Sequence, residues 1–460
     1  MISLTEHQQS ILSESLSILS SSNNLIIKGS AGVGKTTLLI HIINKFIDLY
    51  PTNKILVTAP TNKAVSVLES YNISSSNNKI KFCTTQSALN ITPTIDEYNG
   101  KLIFQMLSIK DYSDISLIAV DESSMLSNYM LSCINEIISI YPHLKFIYLG
   151  DDKQLGPVED NINISSSYYS PIFDVDFPTV TLTEIIRQHK DNPIINLSNN
   201  LLSFTHNTLR NESFNSLNHG YTIVNKWSSN IKRNIDNILS VIAVNPEDHI
   251  YLAYTNERVD FINSIIRKKI YKDEPLYQKF YVGEKIIFNS FCYDVSFRFN
   301  KRKTTGYLIV NKSFLLGINN QQIKIKSLEI INSDFFIPAK VSGKRGVSFM
   351  KFNYKHYLIN NKIKVIHEDD LDRFNSEISI LQKGILTGHI TAKNFMLFKS
   401  QFADVKHCYA LTIHKSQGST YKNVILDYND ISNHCKIRLQ QNKLLYTAIT
   451  RAKNILYIIT

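Results

Sequence analysis

Cysteine is scarce in this chain: its 460 residues hold five, Cys83, Cys133, Cys292, Cys408 and Cys435, with no close pair among them. Neither a zinc site nor a disulfide framework is indicated, which suits a reducing cytosol. The opening MISLTEHQQS has no basic-then-apolar leader, and no apolar run is long enough to cross a bilayer. A cytoplasmic location is therefore expected. No internal repeat and no long disordered segment interrupts the chain. Acidic residues number 39 against 50 Lys and Arg, giving a formal charge of +11 and a pI near 9.1. That balance suits a polyanionic partner without proving one. The hydrophobic share of 43% is ordinary for a globular protein, and the length allows two or three domains.

A glycine-rich phosphate loop occurs once. Leu25-Ile26-Ile27 reads as a buried parallel strand, Gly29 to Thr36 as G-S-A-G-V-G-K-T, and Thr37 to Ile40 as the opening of an apolar helix. Gly29, Gly32 and Gly34 permit the tight turn. With Ala31 and Val33 they leave backbone N–H groups facing phosphate oxygens at a helix N-terminus. Lys35 is placed to reach the β- and γ-phosphates and Thr36 to ligate Mg²⁺, so ATP or GTP is expected here.

Further strands end in chemistry. Leu117 to Val120 delivers Asp121 and Glu122 to the ligand edge of an open α/β sheet: Asp121 suits Mg²⁺, and Glu122 suits the attacking water. Phe146 to Leu149 leads to Gly150-Asp151-Asp152-Lys153-Gln154, where the Gln154 amide can sense a γ-phosphate. Arg187 is either a surface salt-bridge partner or a guanidinium reaching the transferring phosphoryl, and Arg451 either complements a helix dipole or acts as a second such finger. Gln8 stands three residues after Thr5, as in a capping box, and its amide also matches the adenine edge. The turn Pro60-Thr61-Asn62-Lys63 is either a plain strand-to-helix connection or a contact to phosphate backbone. Thr412-Ile413-His414-Lys415 suits phosphate and sugar contacts, and Gln417-Gly418 reaches towards a nucleotide. Asn99-Gly100 marks a hairpin, with Phe104 near its base as core or as a wedge against a base pair. From about Ile286 to Asn394 the chain reads as β-rich and basic, an inserted barrel-like domain. No phosphate loop recurs in the second half, so that half is expected to complete the first site.

Taken together, LTEHQ, GSAGVGKT, APTNKA, VDES, GDDKQLGPV, LTEIIRQ, ALTIHKSQG and LYTAITRAK resemble the motifs of superfamily 1 helicases of the RecD-like branch, most closely its Dda-like members, in the family's order and over nearly the whole chain. The resemblance implies an α/β fold of two RecA-like domains, with a β-hairpin pin in the first and an SH3-like β-barrel insertion in the second. The implied boundaries are residues 1–185 with the pin at about 90–110, then 186–285, 286–396 for the insertion, and 397–460. It implies an ATP- and Mg²⁺-dependent DNA helicase moving 5′ to 3′ on single-stranded DNA; the alternative is a translocase that displaces bound proteins with little unwinding. Lys35, Thr36, Asp121, Glu122, Gln154, Arg187 and Arg451 would form the hydrolytic site. Gln8, Gly29, Ala31, Gly32, Val33, Gly34, Thr37, Gln417 and Gly418 would join Lys35 and Thr36 in binding ATP. Pro60, Thr61, Asn62, Lys63, Thr85, Phe104, Thr412, His414 and Lys415 would contact DNA. Single-stranded and forked DNA are the implied partners, with a single-strand-binding protein or other replication, recombination or repair proteins beside them; a phage-encoded protein in its host's cytoplasm fits the same resemblance. The chain departs from the family at Thr84-Thr85-Gln86-Ser87, where relatives carry a His, at Ser419-Thr420, where many carry an acid, and at Asn319-Asn320-Gln321, where Asn-Gly is usual.

Overall fold

A computed structural model describes residues 3–50, 54–71, 79–95, 102–157, 169–184, 193–200, 213–216, 219–224, 231–274, 278–302, 305–317, 319–340 and 347–460. The chain divides into two compact units. The first comprises Met1–Ile91, Met106–Lys272 and Tyr409–Thr460, and the second Thr92–Gln105 and Asp273–Cys408.

The first unit opens with α1 (Glu6–Ser21), started by a capping box in which the Thr5 hydroxyl accepts from the Gln8 backbone and the Gln8 side chain accepts from the Thr5 backbone. There follow β1 (Asn24–Gly29), α2 (Lys35–Leu49), β2 (Lys54–Ala59), α3 (Asn62–Ser70), β3 (Ile80–Thr84) and the single turn α4 (Thr85–Ala88). After the hairpin strands β4 (Ile91–Ile95) and β5 (Leu102–Met106), most of whose residues belong to the second unit, come β6 (Ile115–Val120), α5 (Asn128–Ile140), β7 (Lys145–Gly150) and β8 (Thr179–Leu182). Six of these strands form one sheet in the order β3-β2-β6-β7-β1-β8, parallel throughout. Its central strands are apolar on both faces, as a sheet covered by helices on each side requires; Leu25, Ile27, Val57, Leu117, Ala119 and Ile147 have no exposed surface.

A second sheet begins with α6 (Pro193–Asn200), β9 (Ser213–Ser216), β10 (His219–Val224), α7 (Ile231–Val244), β11 (His249–Ala253) and α8 (Asn256–Ile270). The chain then builds the second unit. Its strands are β12 (Lys285–Phe288), β13 (Cys292–Arg302), β14 (Thr305–Gly317), β15 (Gln322–Lys324), β16 (Leu328–Lys340), β17 (Val347–Ile359) and β18 (Ile363–Ile366). The helices α9 (Glu368–Leu386) and α10 (Ala392–Lys399) and the strand β19 (Val405–His407) complete it. Among the described residues these strands pair antiparallel in three separate pieces, β15-β12-β19, the long hairpin β13-β14, and β16-β17-β18, with an isolated parallel bridge between Lys364 and Phe402. The β-rich reading of 286–394 therefore needs correction at α9. His367 caps that helix and Glu368, Asp369 and Asp370 fill its first turn, where acids favour the dipole. Phe374 and Leu381 pack into an aromatic core with Phe335, Tyr354, Phe398 and Phe402.

The chain returns to the first unit through β20 (Ala410–Thr412), α11 (Ile413–Ser416), β21 (Tyr421–Asp427), α12 (Tyr428–His434), α13 (Arg438–Ile449) and β22 (Ala452–Ile459). The second sheet runs β20-β11-β21-β22-β10-β9, parallel except for the β10-β9 pair. The first unit thus holds two lobes of matching α/β topology, and the fold is the expected pair of RecA-like domains.

Candidate active site

The phosphate loop links β1 to α2 at the C-terminal edge of the first sheet. Gly32 and Gly34 have φ of 89° and 81°, a region glycine enters without the steric cost a side chain would carry. A methyl group on Gly29 would lie 2.7 Å from Val33 Cγ2 and 3.0 Å from the Leu182 carbonyl, so close packing fixes glycine there. Val33 itself is fully buried and anchors the loop. Lys35 Nζ donates to the carbonyls of Gly29 (2.6 Å) and Ser30 (3.0 Å), which curls the ammonium back over the loop. The Gln8 amide is occupied at both ends: its oxygen accepts from Thr5 N (3.2 Å), and its nitrogen donates to the Val33 carbonyl (3.3 Å). Gln8 is 2% exposed, so it holds α1 to the phosphate loop, and adenine would have to replace one of these bonds.

Two strands away, β6 delivers the acid pair. Thr36 Oγ1 donates to Asp121 Oδ2 at 3.2 Å, and Asp121 Oδ1 accepts from the Glu122 backbone at 2.9 Å. Burial raises the Asp121 pKa to about 6, helped by the Glu122 charge and opposed by the Glu122 N–H, Lys35 and Thr36. Glu122 has φ +50°, the left-handed region, in a non-glycine residue. Such strain persists only where the surroundings enforce it. The hydroxyl of Thr36 and the carboxylate of Asp121 are hard oxygen donors side by side. They fit Mg²⁺, which takes few protein ligands and completes its shell with phosphate and water.

The second lobe closes on this edge. Arg451, just past α13, is 4% exposed. Its Nε donates to the Thr447 carbonyl (3.0 Å), Nη1 to the Ser419 carbonyl (3.2 Å) and Nη2 to Thr450 Oγ1 (3.2 Å). Burial lowers its pKa, and the charges of Glu122 and Asp151 counter that shift. The guanidinium of the second lobe therefore feels the acids of the first. Gln154, 3% exposed, donates through Nε2 to Asp151 Oδ2 at 3.3 Å. Gln417 Nε2 donates to the Leu155 carbonyl at 3.0 Å, and Gly418 takes φ +69° where an added methyl group would lie 3.7 Å from Thr61 Oγ1. Arg187 lies outside the described residues.

A profile described as an AAA domain matches residues 3–210, and one described as a UvrD-like helicase C-terminal domain matches residues 407–459. The ATP-dependent DNA helicase dda of Enterobacteria phage T4 is 28% identical over 450 residues, which cover 94% of this chain and 93% of that protein. An uncharacterized protein of Acanthamoeba polyphaga mimivirus is 28% identical over 480 residues, 92% of each chain. The RecBCD enzyme subunit RecD of Buchnera aphidicola subsp. Acyrthosiphon pisum is 26% identical over 453 residues, 95% of this chain and 70% of that one.

The chain is an ATP-dependent DNA helicase, similar to the Dda and RecD helicases.

Within this helicase the residues expected at DNA fall at strand ends on both lobes. Pro60 and Thr61 form the β2-to-α3 turn, where Thr61 Oγ1 caps α3 by accepting from Ala64 N at 3.2 Å, and Asn62 is exposed on the first turn. The Lys63 side chain lies outside the described residues. Thr412, at the end of β20, caps α11 in the same manner, accepting from Lys415 N at 3.3 Å, and His414 sits partly buried against Tyr254, with its pKa lowered by burial. Thr85 is different. It is 3% exposed and its hydroxyl donates to Thr58 Oγ1 at 3.3 Å, which gives it a place in the lobe's interior instead of the surface expected for a DNA contact. Phe104, on β5 of the hairpin, is half-buried with its ring 6.4 Å from that of Phe291. The Asn99-Gly100 turn lies outside the described residues. Sequence reading missed Lys443, Tyr446 and Thr447, whose spacing on one face of α13 was the available signal; all three touch the loop carrying Gln154.

Proposed function

We propose that this helicase hydrolyses ATP between its two lobes and uses the cycle to move 5′ to 3′ along single-stranded DNA, parting duplex at the β4-β5 hairpin. The observation that carries the reading is the convergence of Lys35, Thr36, Asp121 and Glu122 from one lobe with buried Arg451 from the other. A single nucleotide on the phosphate loop would meet both.

In this mechanism the loop N–H groups and Lys35 bind the phosphates, Lys35 exchanging its two carbonyl partners for phosphate charge. Thr36 and Asp121 would hold Mg²⁺, which would supply neutralisation of phosphate charge. Glu122 orients and deprotonates the attacking water, while Arg451 and Arg187 gain contacts to phosphate charge when the lobes close. Loss of the γ-phosphate removes that differential affinity and the lobes relax apart. Thr61 with its neighbours Pro60 and Asn62, and Thr412 with His414 and Lys415, would take turns holding the DNA backbone. Such contacts make affinity salt-dependent and nearly sequence-independent. The direction of travel and the SH3-like character of the inserted unit follow from the resemblance to the RecD-like branch. Replication or recombination proteins, including a single-strand-binding protein, are the partners such a motor would meet in the cytoplasm.

The test pairs an ATPase assay, with and without single-stranded DNA, with strand separation on forked substrates carrying a 5′ or a 3′ tail. DNA-stimulated hydrolysis and separation from the 5′ tail are expected. Separation from the 3′ tail alone would overturn the direction, and turnover indifferent to DNA would overturn the motor.

A further inference from the structure

Helix α13 faces the Asp151–Leu155 loop with three polar side chains at positions i, i+3 and i+4, and each one is engaged. Lys443 Nζ donates to the carbonyls of Asp152 (2.8 Å) and Gln154 (2.9 Å). Thr447 Oγ1 accepts from Leu155 N at 3.2 Å. Between them the Tyr446 hydroxyl donates to Asp151 Oδ2 at 2.7 Å and accepts from Ala31 N, a phosphate-loop amide, at 3.3 Å. Gln154 Nε2 donates to that same Asp151 oxygen at 3.3 Å. The other carboxylate oxygen accepts from Lys153 N at 3.1 Å. Tyr446 therefore touches, with one oxygen, the loop that would receive phosphate and the carboxylate that holds the amide placed to sense it.

We propose that Tyr446 is a positioning residue that relays occupancy of the phosphate loop to Gln154 through Asp151; this rests on the ATP-hydrolysis reading above. A phosphate oxygen is a charged acceptor and forms a stronger bond with the Ala31 N–H than a phenol oxygen does. Its arrival detaches the hydroxyl from the loop. The phenol is 5% exposed, and burial together with the Asp151 charge raises its pKa, so it stays a neutral donor that must turn towards some acceptor. Asp151 Oδ2 carries two donors in the structure, and any shift of the Tyr446 proton changes how firmly the Gln154 amide is held. Lys443 and Thr447 keep the loop backbone fixed meanwhile, so the change is confined to side chains. The second lobe thereby senses the nucleotide through a hydroxyl as well as through Arg451.

Tyr446→Phe tests the relay, since it keeps the ring and removes only the oxygen. DNA-stimulated kcat should fall about tenfold or more, the scale set by a hydrogen bond to a charged group, with the KM for ATP within about twofold of the parent. In a Gln154→Ala background the same change should cost almost nothing further, because residues acting as one relay are non-additive. Asp151→Asn, which retains shape and fold, should reproduce the loss from the other end and be equally silent in that background. Undiminished kcat in both variants, an equal loss in the Gln154→Ala background, or a KM effect alone would overturn the relay. A parent chain without ATPase activity would instead bring down the hydrolytic reading beneath it.

Discussion

Replacing Arg451 by Lys separates two things the residue provides, charge and a fork. A guanidinium carries five N–H donors in fixed geometry. Three of its nitrogens' bonds are made inside the second lobe, to the Thr447 carbonyl, the Ser419 carbonyl and the Thr450 hydroxyl, at 3.0, 3.2 and 3.2 Å. One donor on each terminal nitrogen is left, which is the pair a bidentate contact to a phosphoryl group uses. An ammonium has three donors on one atom and cannot hold both carbonyls while reaching across the cleft. The variant keeps the positive charge beside Glu122 and Asp151 but loses the anchoring, so transition-state stabilisation should drop while ground-state attraction survives. Arginine fingers are worth on the order of 10³–10⁵ in rate, and retention of charge recovers part of that, leaving an expected fall of about 10²-fold or more in DNA-stimulated kcat. The KM for ATP should move much less. The Ser419 carbonyl would lose its Arg451 partner in a site with little water, at a cost of about 1–3 kcal/mol, which a thermal melt would register as a modest decrease. Steady-state ATPase at saturating DNA, with the melt as control for folding, is the measurement. A variant turning over within threefold of the parent would refute the forked contact.

Three further outcomes are expected. Lys35→Ala should reduce ATPase at least about 100-fold, because the ammonium that now caps the Gly29 and Ser30 carbonyls is the one placed for phosphate, while single-strand binding measured by anisotropy changes little. Phe104→Ala should slow strand separation on a fork more than it slows ATPase on single strands; equal losses would make the ring a packing partner of Phe291 and nothing more. Burial pushes the Lys443 pKa down from 10.5 to about 8, so between those values the unfolded chain binds the extra proton. Stability of the parent relative to Lys443→Met should therefore rise with pH over that window, by up to about 3 kcal/mol, and stay flat below it; a falling difference in denaturant melts would contradict the assignment.

The first lobe was readable because its signals are local. A run such as Leu117 to Val120 followed by two acids needs only its own residues to mark a buried strand and its functional end, and β6 spans Ile115–Val120. The capping box at Thr5 and Gln8 was equally local. What the pattern could not show is that the Gln8 nitrogen is taken by the Val33 carbonyl, 25 residues away. The cleft itself is written almost wholly in such distant bonds: Lys443 meets carbonyls 291 and 289 residues away. Hydrogen bonds to backbone carbonyls leave no mark on the sequence of the loop that accepts them, so Tyr446 and Lys443 looked like ordinary helix residues. In the second unit, β-branched and aromatic residues flank α9 on both sides, and their weight hid a helix whose own marks were present. Leu371, Phe374, Ile378, Leu381 and Ile385 recur at helical spacing behind three acids.

The two lobes share a strand order, yet only one is built for a nucleotide, and the difference can be located. The strand of the second sheet that corresponds to β1 is β10, and the residues after it, Asn225-Lys226-Trp227-Ser228-Ser229-Asn230, contain no glycine and no Gly-Lys-Thr. The strand that corresponds to β2 is β11, and both lead into a helix capped by threonine, Thr61 on α3 and Thr255 on α8. At α8, however, a carboxylate has already taken the position of an anion: Asp430 Oδ2 accepts from Tyr254 N at 2.8 Å and from Thr255 N at 2.7 Å. A DNA phosphate at that helix start would find its donors engaged and a like charge beside it. No carboxylate stands at the Thr61 cap among its hydrogen-bond partners in the described residues. On the proposed function, the grip of the second lobe would lie on the next strand outward, β20, whose Thr412 cap leads to His414 and Lys415. Two lobes of one topology would then present non-equivalent strand ends to the same polynucleotide.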